Sequence, residues 1–525
     1  MSLAAGGRVV ECDVVVVGAG SSGAVIASRL SAGGDRTVVL LEAGRDYSSR
    51  ETPDGLASIG PLELMAPEYA ETHMYPGLLA SRSHVQPPAL YRRGRGVGGS
   101  SAINGLFAVR PTVADLNEWA DAGCPGWSFT DVLHHLKALE TDLDFGALEF
   151  HGADGPIPIC RPRTADNSAL DEAFHGACIA AGHVYAPDHN APGATGLSPY
   201  AYNARHGRRV STNDAYLEPA RNRPNLQIWG NALVDRVTWE AGRAVGVSAF
   251  TDGLELEVRA SEIVLSAGAI HSPAVLLRSG IGPPAELREL GIDVRADLPV
   301  GLGLQDHPAL AVLIQLNSSA PPAGRRHAAF CLRFDTGGGS EPDGGMISAT
   351  ATEDPEVGAV IGWVNRVDST GRIRLHTVDP RVDPRVDFDM LASAEDVRRI
   401  RRVAEELASL TRTASFEEVG NNLGLLANSL ETTLVPVGEA VSDPDFEALL
   451  LRAVFDVSHA TSSCRMGDPD DQTTVVDPSG RVHGFENLRV ADASILPWVP
   501  RANTHLSAVL VGEKIAADLL SELDG

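Results

Sequence analysis

Val14 to Val17 are four consecutive β-branched apolar residues, and Gly18 follows them with no polar position between. A run that is apolar on both faces suits a strand buried on both sides, as in a parallel sheet. A helical pattern comes next, with Ala24, Val25, Ala27 and Leu30, and then a second apolar run from Thr37 to Leu41. Strand, helix, strand in that order predicts a βαβ unit. Further strand-like runs lie at Leu226 to Trp229, Ala232 to Thr238 and Glu262 to Ala267, and Ala244 to Phe250 with Leu254 to Val258 reads as a hairpin. Asp115 to about Leu143 has a helical pattern. Arg208 to Leu217 leads into a helix, Ala269 to Gly282 begins one with Pro273 in its first turn, and Leu506 to Leu519 closes the chain. From about Pro308 to Phe455 the texture changes to irregular strands and long loops around one helical stretch, Ala394 to Leu410.

The turn after the first strand carries chemistry. Gly18, Gly20 and Gly23 form G-x-G-x-x-G. The first glycine allows the tight turn, the second lets backbone approach a pyrophosphate, and the third lets helix and strand pack closely. The helix N-terminus then offers free N–H groups to the phosphates. Glu42 closes the second strand 19 residues after Gly23, where an acid accepts hydrogen bonds from a ribose hydroxyl pair and disfavours a 2′-phosphate. Strand, helix and acid together predict dinucleotide binding. A second glycine-rich loop, Tyr91 to Asn104, has only a weak strand before it and no acid closing a unit after it. It is expected to lie against the ligand held by the first loop, with Ser100, Ser101 and Asn104 supplying hydrogen bonds.

The fold class expected is α/β: a Rossmann-like nucleotide-binding domain of residues 1–157, 205–307 and 456–525, with a second, α+β domain of 158–204 and 308–455 built on an antiparallel sheet. A chain of 525 residues has room for two such cores. Its net charge of −26 argues against an electrostatic grip on nucleic acid or anionic lipid. The six cysteines are scattered without a C-x-x-C pair, so no metal site or disulfide framework is expected. No apolar run reaches the roughly 18 residues of a membrane span. The first predicted strand begins by about residue 13, which leaves no room for a signal peptide. A cytoplasmic location is the expectation, and the oligomeric state is not indicated.

With these pieces in order the chain resembles, end to end, the glucose–methanol–choline (GMC) family of flavoprotein oxidoreductases. The resemblance rests on the first glycine motif, RGRGVGGSSAIN (Arg93 to Asn104), GAIHSPAVLLRSGIG (Gly268 to Gly282) and GLGLQDH (Gly301 to His307). A C-terminal pair completes it: SHATSSCRMG (Ser458 to Gly467) and VADASILPWVPRANTH (Val490 to His505). The resemblance implies FAD lying extended. Gly18, Gly20, Ser21, Ser22, Gly23, Glu42 and Ala43 would hold its adenosine end. Arg93, Gly98, Gly99, Ser100, Asn104 and Gly105 would come from the second loop, and Val234, Ala267, Gly268, Asp492 and Ala493 from elsewhere, with the ring near Asn104, Asn503 and Thr504. Where some members attach the flavin through a histidine this chain is read as having Ala102, which implies non-covalent FAD.

An alkoxide is a far better hydride donor than an alcohol, so the reaction needs a base that works near pH 7, which neutral imidazole supplies. His459 and Asn503 match the family's catalytic pair, and the resemblance implies His459 as base and Asn503 as donor to the developing alkoxide. The family's Gly-Thr inside the histidine motif is here Ser462 and Ser463. His505 is either a second base or a residue packed under the terminal helix. Trp363 stands where some members place a pocket tryptophan, and Trp498 is expected to narrow the entrance. The reading is oxidation of a primary alcohol, with an aryl or heteroaryl substrate favoured and O2 or another acceptor reoxidising the flavin. A hydroxynitrile lyase on the same scaffold and an NAD(P)H-dependent flavin reductase are the alternatives.

Overall fold

The computed structural model describes residues 8–60, 67–317, 328–337, 344–352, 354–428 and 433–524. Its first sheet has seven strands, ordered Leu226–Trp229, Val38–Leu41, Arg8–Val17, Leu254–Leu265, Arg243–Thr251, Ala232–Glu240, with Leu488–Val490 also paired to Leu254–Leu265. The strands around Arg8–Val17 run parallel, and the last two turn back as antiparallel hairpins. The helix Gly23–Leu30 covers one face together with the terminal helix Thr504–Asp524. Gly512 makes that contact tight: a Cβ there would stand 2.9 Å from Val25 Cβ and from Ser22 O.

The separate strand expected at Glu262 to Ala267 is the second half of one continuous strand, Leu254–Leu265, in register with Arg8–Val17 along its length. Its outer half alternates between exposed and buried and its inner half is buried throughout, so the change of pattern marks where the sheet is covered, not where the strand breaks. The same transition hides the true start of the first strand at Arg8. Pro273 lies one turn inside the helix Gly268–Arg278, not in its first turn. The stretch expected to be helical from Asp115 is two helices, Val113–Asp121 and Phe129–Ala138, each opened by a capping box.

The second large sheet has eight antiparallel strands: Thr433–Val435, Gly420–Asn428, Pro308–Leu316, Val357–Val364, Gly345–Ala351, Phe330–Phe334 and Gly196–Pro199 in order, with Phe455–Asp456 also paired to Pro308–Leu316. The helix Ala394–Leu410 packs on it through Ile400, Val403 and Leu407, one apolar stripe at helical spacing. Side chains on neighbouring strands alternate between faces. Ile347, Ala349, Val360 and Val364 go to the core beneath that helix. Ser348, Thr350, Ile361 and Trp363 face the other way, into a cavity.

Candidate active site

The carboxyl ends of Arg8–Val17, Val38–Leu41, Leu254–Leu265 and Leu488–Val490 open at one edge of the first sheet, where ligands of open α/β sheets bind. The loops leaving them, at Gly18, Glu42, Ala267 and Asp492, line one end of a cavity of about 730 Å³. The face of the antiparallel sheet carrying Ser348, Thr350, Ile361 and Trp363 lines the other end. Of the residues expected to bind cofactor, Gly18, Gly20, Ser21, Ser22, Glu42, Ala43, Arg93, Gly99, Ser100, Asn104, Gly105, Val234, Ala267, Gly268, Asp492, Ala493, Asn503 and Thr504 lie on its wall. Gly23 and Gly98 do not. Gly23 packs against the turn, where a Cβ would fall 1.9 Å from Gly18 O, and Gly98 ties the two loops by donating its N–H to Ala19 O at 2.8 Å.

Glu42 lines the cavity and also makes backbone contacts that its position in the sequence did not show. Its Oε2 accepts from Ala19 N (2.9 Å), and Oε1 accepts from both Gly44 N (2.8 Å) and Gly96 N (2.9 Å). A carboxylate has about four acceptor positions, so Glu42 brackets the two glycine loops and still has a position on Oε2, on the cavity wall, for a ribose hydroxyl. Trp498 does not narrow the cavity; it is half-buried against the main core with the Arg465 guanidinium over its ring. Trp363 does line it. His505 also lines it, in the first turn of the terminal helix, with Nδ1 3.4 Å from Ser21 Oγ, and so faces the first glycine loop. Ala102 is turned away by the short helical turn Gly99–Ala102; the residue before Asn104 that meets the cavity is Ile103, which carries no nitrogen either.

The catalytic candidates meet in three dimensions. Gln305 and Thr461 exchange backbone hydrogen bonds in both directions, which lays the Asp306–His307 turn beside His459. Asp306 Oδ2 accepts from His459 N (2.8 Å) and from Tyr91 OH (2.7 Å), and its Oδ1 accepts from His307 N (2.7 Å). Burial and the neighbouring carboxylate Asp456 push Asp306 up, against the pull of Arg93.

His307 Nε2 lies 3.0 Å from Pro500 O. A carbonyl only accepts, so that nitrogen carries the hydrogen and His307 Nδ1 is left with its lone pair. His459 Nδ1, 2.9 Å away, must therefore donate to it. This leaves His459 Nε2 unprotonated, and the Asn503 amide nitrogen stands 3.2 Å from it. Burial first, then His307 and Arg93, hold His459 well below the usual imidazole range, and burial brings His307 down to about 4. Both rings are neutral at pH 7. Nothing in the sequence around Asp306, His307 or Tyr91 gives these residues a role on its own. GLGLQDH marked the place, but its contact with His459 spans 152 positions.

Two serines flanking His459 are strained in this arrangement, Ser458 at φ 62° and Ser462 at φ 70°, the second standing where the family has glycine. Ser463, where the family has threonine, keeps the hydroxyl and donates it to Ala269 O at 2.6 Å. That carbonyl is the one Pro273, four residues on, cannot satisfy.

The residues present fit an extended dinucleotide. Gly18 turns at φ 97°, where a Cβ would strike Ser266 O at 2.5 Å. An added Cβ on Gly20 would point toward Gly99 across the gap between the loops, 3.9 Å from its Cα. Asn503 Oδ1 and His505 Nε2 are buried with no hydrogen-bond partner among the described residues, on two cavity-lining side chains.

Comparison with known proteins agrees. Residues 12–309 match the N-terminal and 367–512 the C-terminal model of the GMC oxidoreductases. The chain is 35% identical to a 5-(hydroxymethyl)furfural oxidase of Methylovorus sp. (strain MP688), covering 97% of this chain and 99% of the relative. It is 34% identical to an oxygen-dependent choline dehydrogenase of Serratia proteamaculans, covering 96% and 95%. Among solved structures, pyridoxine 4-oxidase from Mesorbium loti superposes with a TM-score of 0.87 at 26% identity, covering 97% of this chain and 99% of that one. A fungal aryl-alcohol oxidase, at 21% identity and a TM-score of 0.82, shares the fold. The chain therefore belongs to the GMC oxidoreductase family, as an FAD flavoenzyme with alcohol oxidases and dehydrogenases among its relatives.

Proposed function

We propose that the protein oxidises a primary alcohol to its aldehyde, with His459 as the base and Asn503 as the donor to the alcohol oxygen. The observation carrying this reading is the hydrogen-bond sequence Pro500, His307, His459, which leaves His459 Nε2 bare beside the Asn503 amide. A substrate hydroxyl placed between them gives its proton to Nε2 while its oxygen accepts from the Asn503 Nδ2–H. A base so placed contributes roughly 10²–10⁴-fold in rate. The His459 Nδ1–H continues to donate to His307 as the ring becomes charged. Bound FAD would supply the two-electron acceptor for the hydride of the alcohol carbon, with O2 or another acceptor as the final oxidant.

FAD is held without a covalent bond in this reading, its tail at Gly18 to Ala43 and its ring near Asn104, Asn503 and Thr504. Residues 1–157, 205–307 and 456–525 form the cofactor domain, and 158–204 with 308–455 the substrate domain. The substrate end is flanked by flat aromatic surface: Phe107 and Tyr200 stack with centroids 4.0 Å apart, and Trp363 and Phe455 lie on the same cavity wall. This supports an aryl or heteroaryl alcohol, as do the names of the furfural and aryl-alcohol oxidases among the relatives. All six cysteines are free thiols, which supports a reducing, cytoplasmic setting.

The test is anaerobic mixing of the FAD-loaded protein with a panel of primary alcohols while the flavin absorbance is followed. Bleaching by benzylic or furanic alcohols is expected, and His459→Ala is expected to slow it by roughly 10²-fold or more with FAD retained. No bleaching across the panel would sink the proposal and favour a lyase. Unslowed bleaching in His459→Ala would remove the base assignment.

A further inference from the structure

Arg209 is buried behind the cavity, only 6% exposed, in the short strand Arg208–Arg209. Its Nε donates to Leu56 O (2.9 Å), and its Nη1 donates to Asn104 Oδ1 (2.8 Å) and to Ser101 O (3.3 Å). Its Nη2 is buried and has no hydrogen-bond partner among the described residues. No carboxylate among the described residues pairs with this guanidinium. Asp214, the acid with the largest influence on it, accepts at Oδ2 from Ser211 N (2.8 Å) and Ser211 Oγ (2.7 Å). Burial lowers Arg209 to about 9, still charged at neutral pH. Leaving a charge buried without a partner is costly, so the counter-charge belongs to something the cavity receives.

Asn104 points to what that is. Its Oδ1 accepts from Leu106 N (3.0 Å) as well as from Arg209, and two donors on one atom settle which way the amide faces. The Nδ2, with both its hydrogens, is left for the cavity that Asn104 lines. A buried cation and an oriented donor thus stand behind one stretch of wall.

We propose that Arg209 is a positioning residue for the cofactor ring: it turns the Asn104 amide nitrogen toward the ring and sets a positive charge behind it, so that the reduced, more negative cofactor is favoured. This rests on the reading above that the ring lies near Asn104. The pyrophosphate is the other anionic part of FAD, but the first loop and the N-terminus of the helix Gly23–Leu30 already provide for it.

The experiment measures the two-electron midpoint potential, the sulfite affinity and the FAD dissociation constant of the FAD-loaded protein. Sulfite adds an electron pair to the oxidised ring, so its affinity reports the same local charge without alcohol turnover. Arg209→Met is expected to make reduction about tenfold less favourable, about 30 mV lower for a two-electron couple, and to weaken sulfite binding about tenfold. Arg209→Lys should recover most of both. Asp214→Asn, isosteric and half-buried, should move the potential the opposite way by removing the opposing charge.

An unchanged potential in Arg209→Met overturns the proposal, as does a weakened FAD affinity at constant potential, which would assign Arg209 to the pyrophosphate. If Arg209→Met does not yield folded protein, the Asp214→Asn potential decides, and no upward shift overturns it. Failure of the underlying reading looks different: wild-type protein that takes up no FAD, or His459→Ala that bleaches at the normal rate.

Discussion

His459 shows how little a residue's identity says without its partners. Sixteen histidines are available, and what distinguishes this one is that its Nδ1–H is committed to His307. His307→Ala removes that commitment while leaving His459 in place. The rate of flavin bleaching by alcohol is expected to fall roughly tenfold or more, and near-normal bleaching would show that the tautomer is held some other way. Because His459 is held well below the ordinary imidazole value, its protonation should leave the reductive rate level at neutral pH and lower it only at pH well under that ordinary value. Ser462 gives a prediction of the opposite kind. In the left-handed region a side chain costs roughly 1 kcal/mol or more, so Ser462→Gly should raise stability by about that amount in a denaturant titration, and no gain would mean that its hydroxyl bond to Thr461 compensates.

At the scale of elements, Pro273 and Ser463 form one unit, although 190 positions separate them. The proline leaves Ala269 O open inside a buried helix, and the serine closes it from the neighbouring loop. Ser463→Ala should cost about 1–3 kcal/mol, the penalty of an unsatisfied buried group, whereas Ser463→Thr should be tolerated. Equal stability of the alanine and threonine variants, measured by urea unfolding, would contradict this. The strand Val357–Val364 has a comparable division of labour. Gly362 lets the helix Ala394–Leu410 approach, since a Cβ there would meet Val403 Cγ1 at 2.6 Å, while Trp363 on the opposite face meets the cavity. Trp363→Ala is therefore expected to raise KM for aryl alcohols with FAD retention unchanged.

Across the whole molecule, two buried histidines set opposite dependences of stability on pH. His307 is brought down to about 4 by burial, so the unfolded chain binds the proton more tightly. Its contribution is complete above about 6.5 and is lost as pH falls toward 4, about 3 kcal/mol in all. His151 goes the other way. Burial opposes its charge, but Asp188 at 2.8 Å and Glu140 at 2.6 Å raise it. Arg110 and Arg161 complete this buried knot, joining the helix Phe129–Ala138 region to the loop at Asp188. The stability from His151 is full below about 6.5 and is lost as pH rises through its raised value. His151→Gln should accordingly lower the melting temperature more at pH 6 than at pH 9, and an equal loss at both would exclude a charged His151.

The strand, the glycine turn, the helix and the acid at Glu42 were legible in consecutive residues because each answers to a local rule: periodicity of burial, a backbone angle, or a helix end. The order of motifs along the chain likewise carried the two-sheet plan and the pairing of His459 with Asn503. Tertiary structure alone decided which nitrogen of His459 is bare, that Glu42 joins two loops, that Trp498 leaves the cavity, and that Arg209 stands behind Asn104 with no carboxylate partner among the described residues. Hydrogen-bond direction and desolvation depend on whatever neighbours folding brings within 3 Å or so, and for these residues the deciding neighbours come from separate loops of the fold.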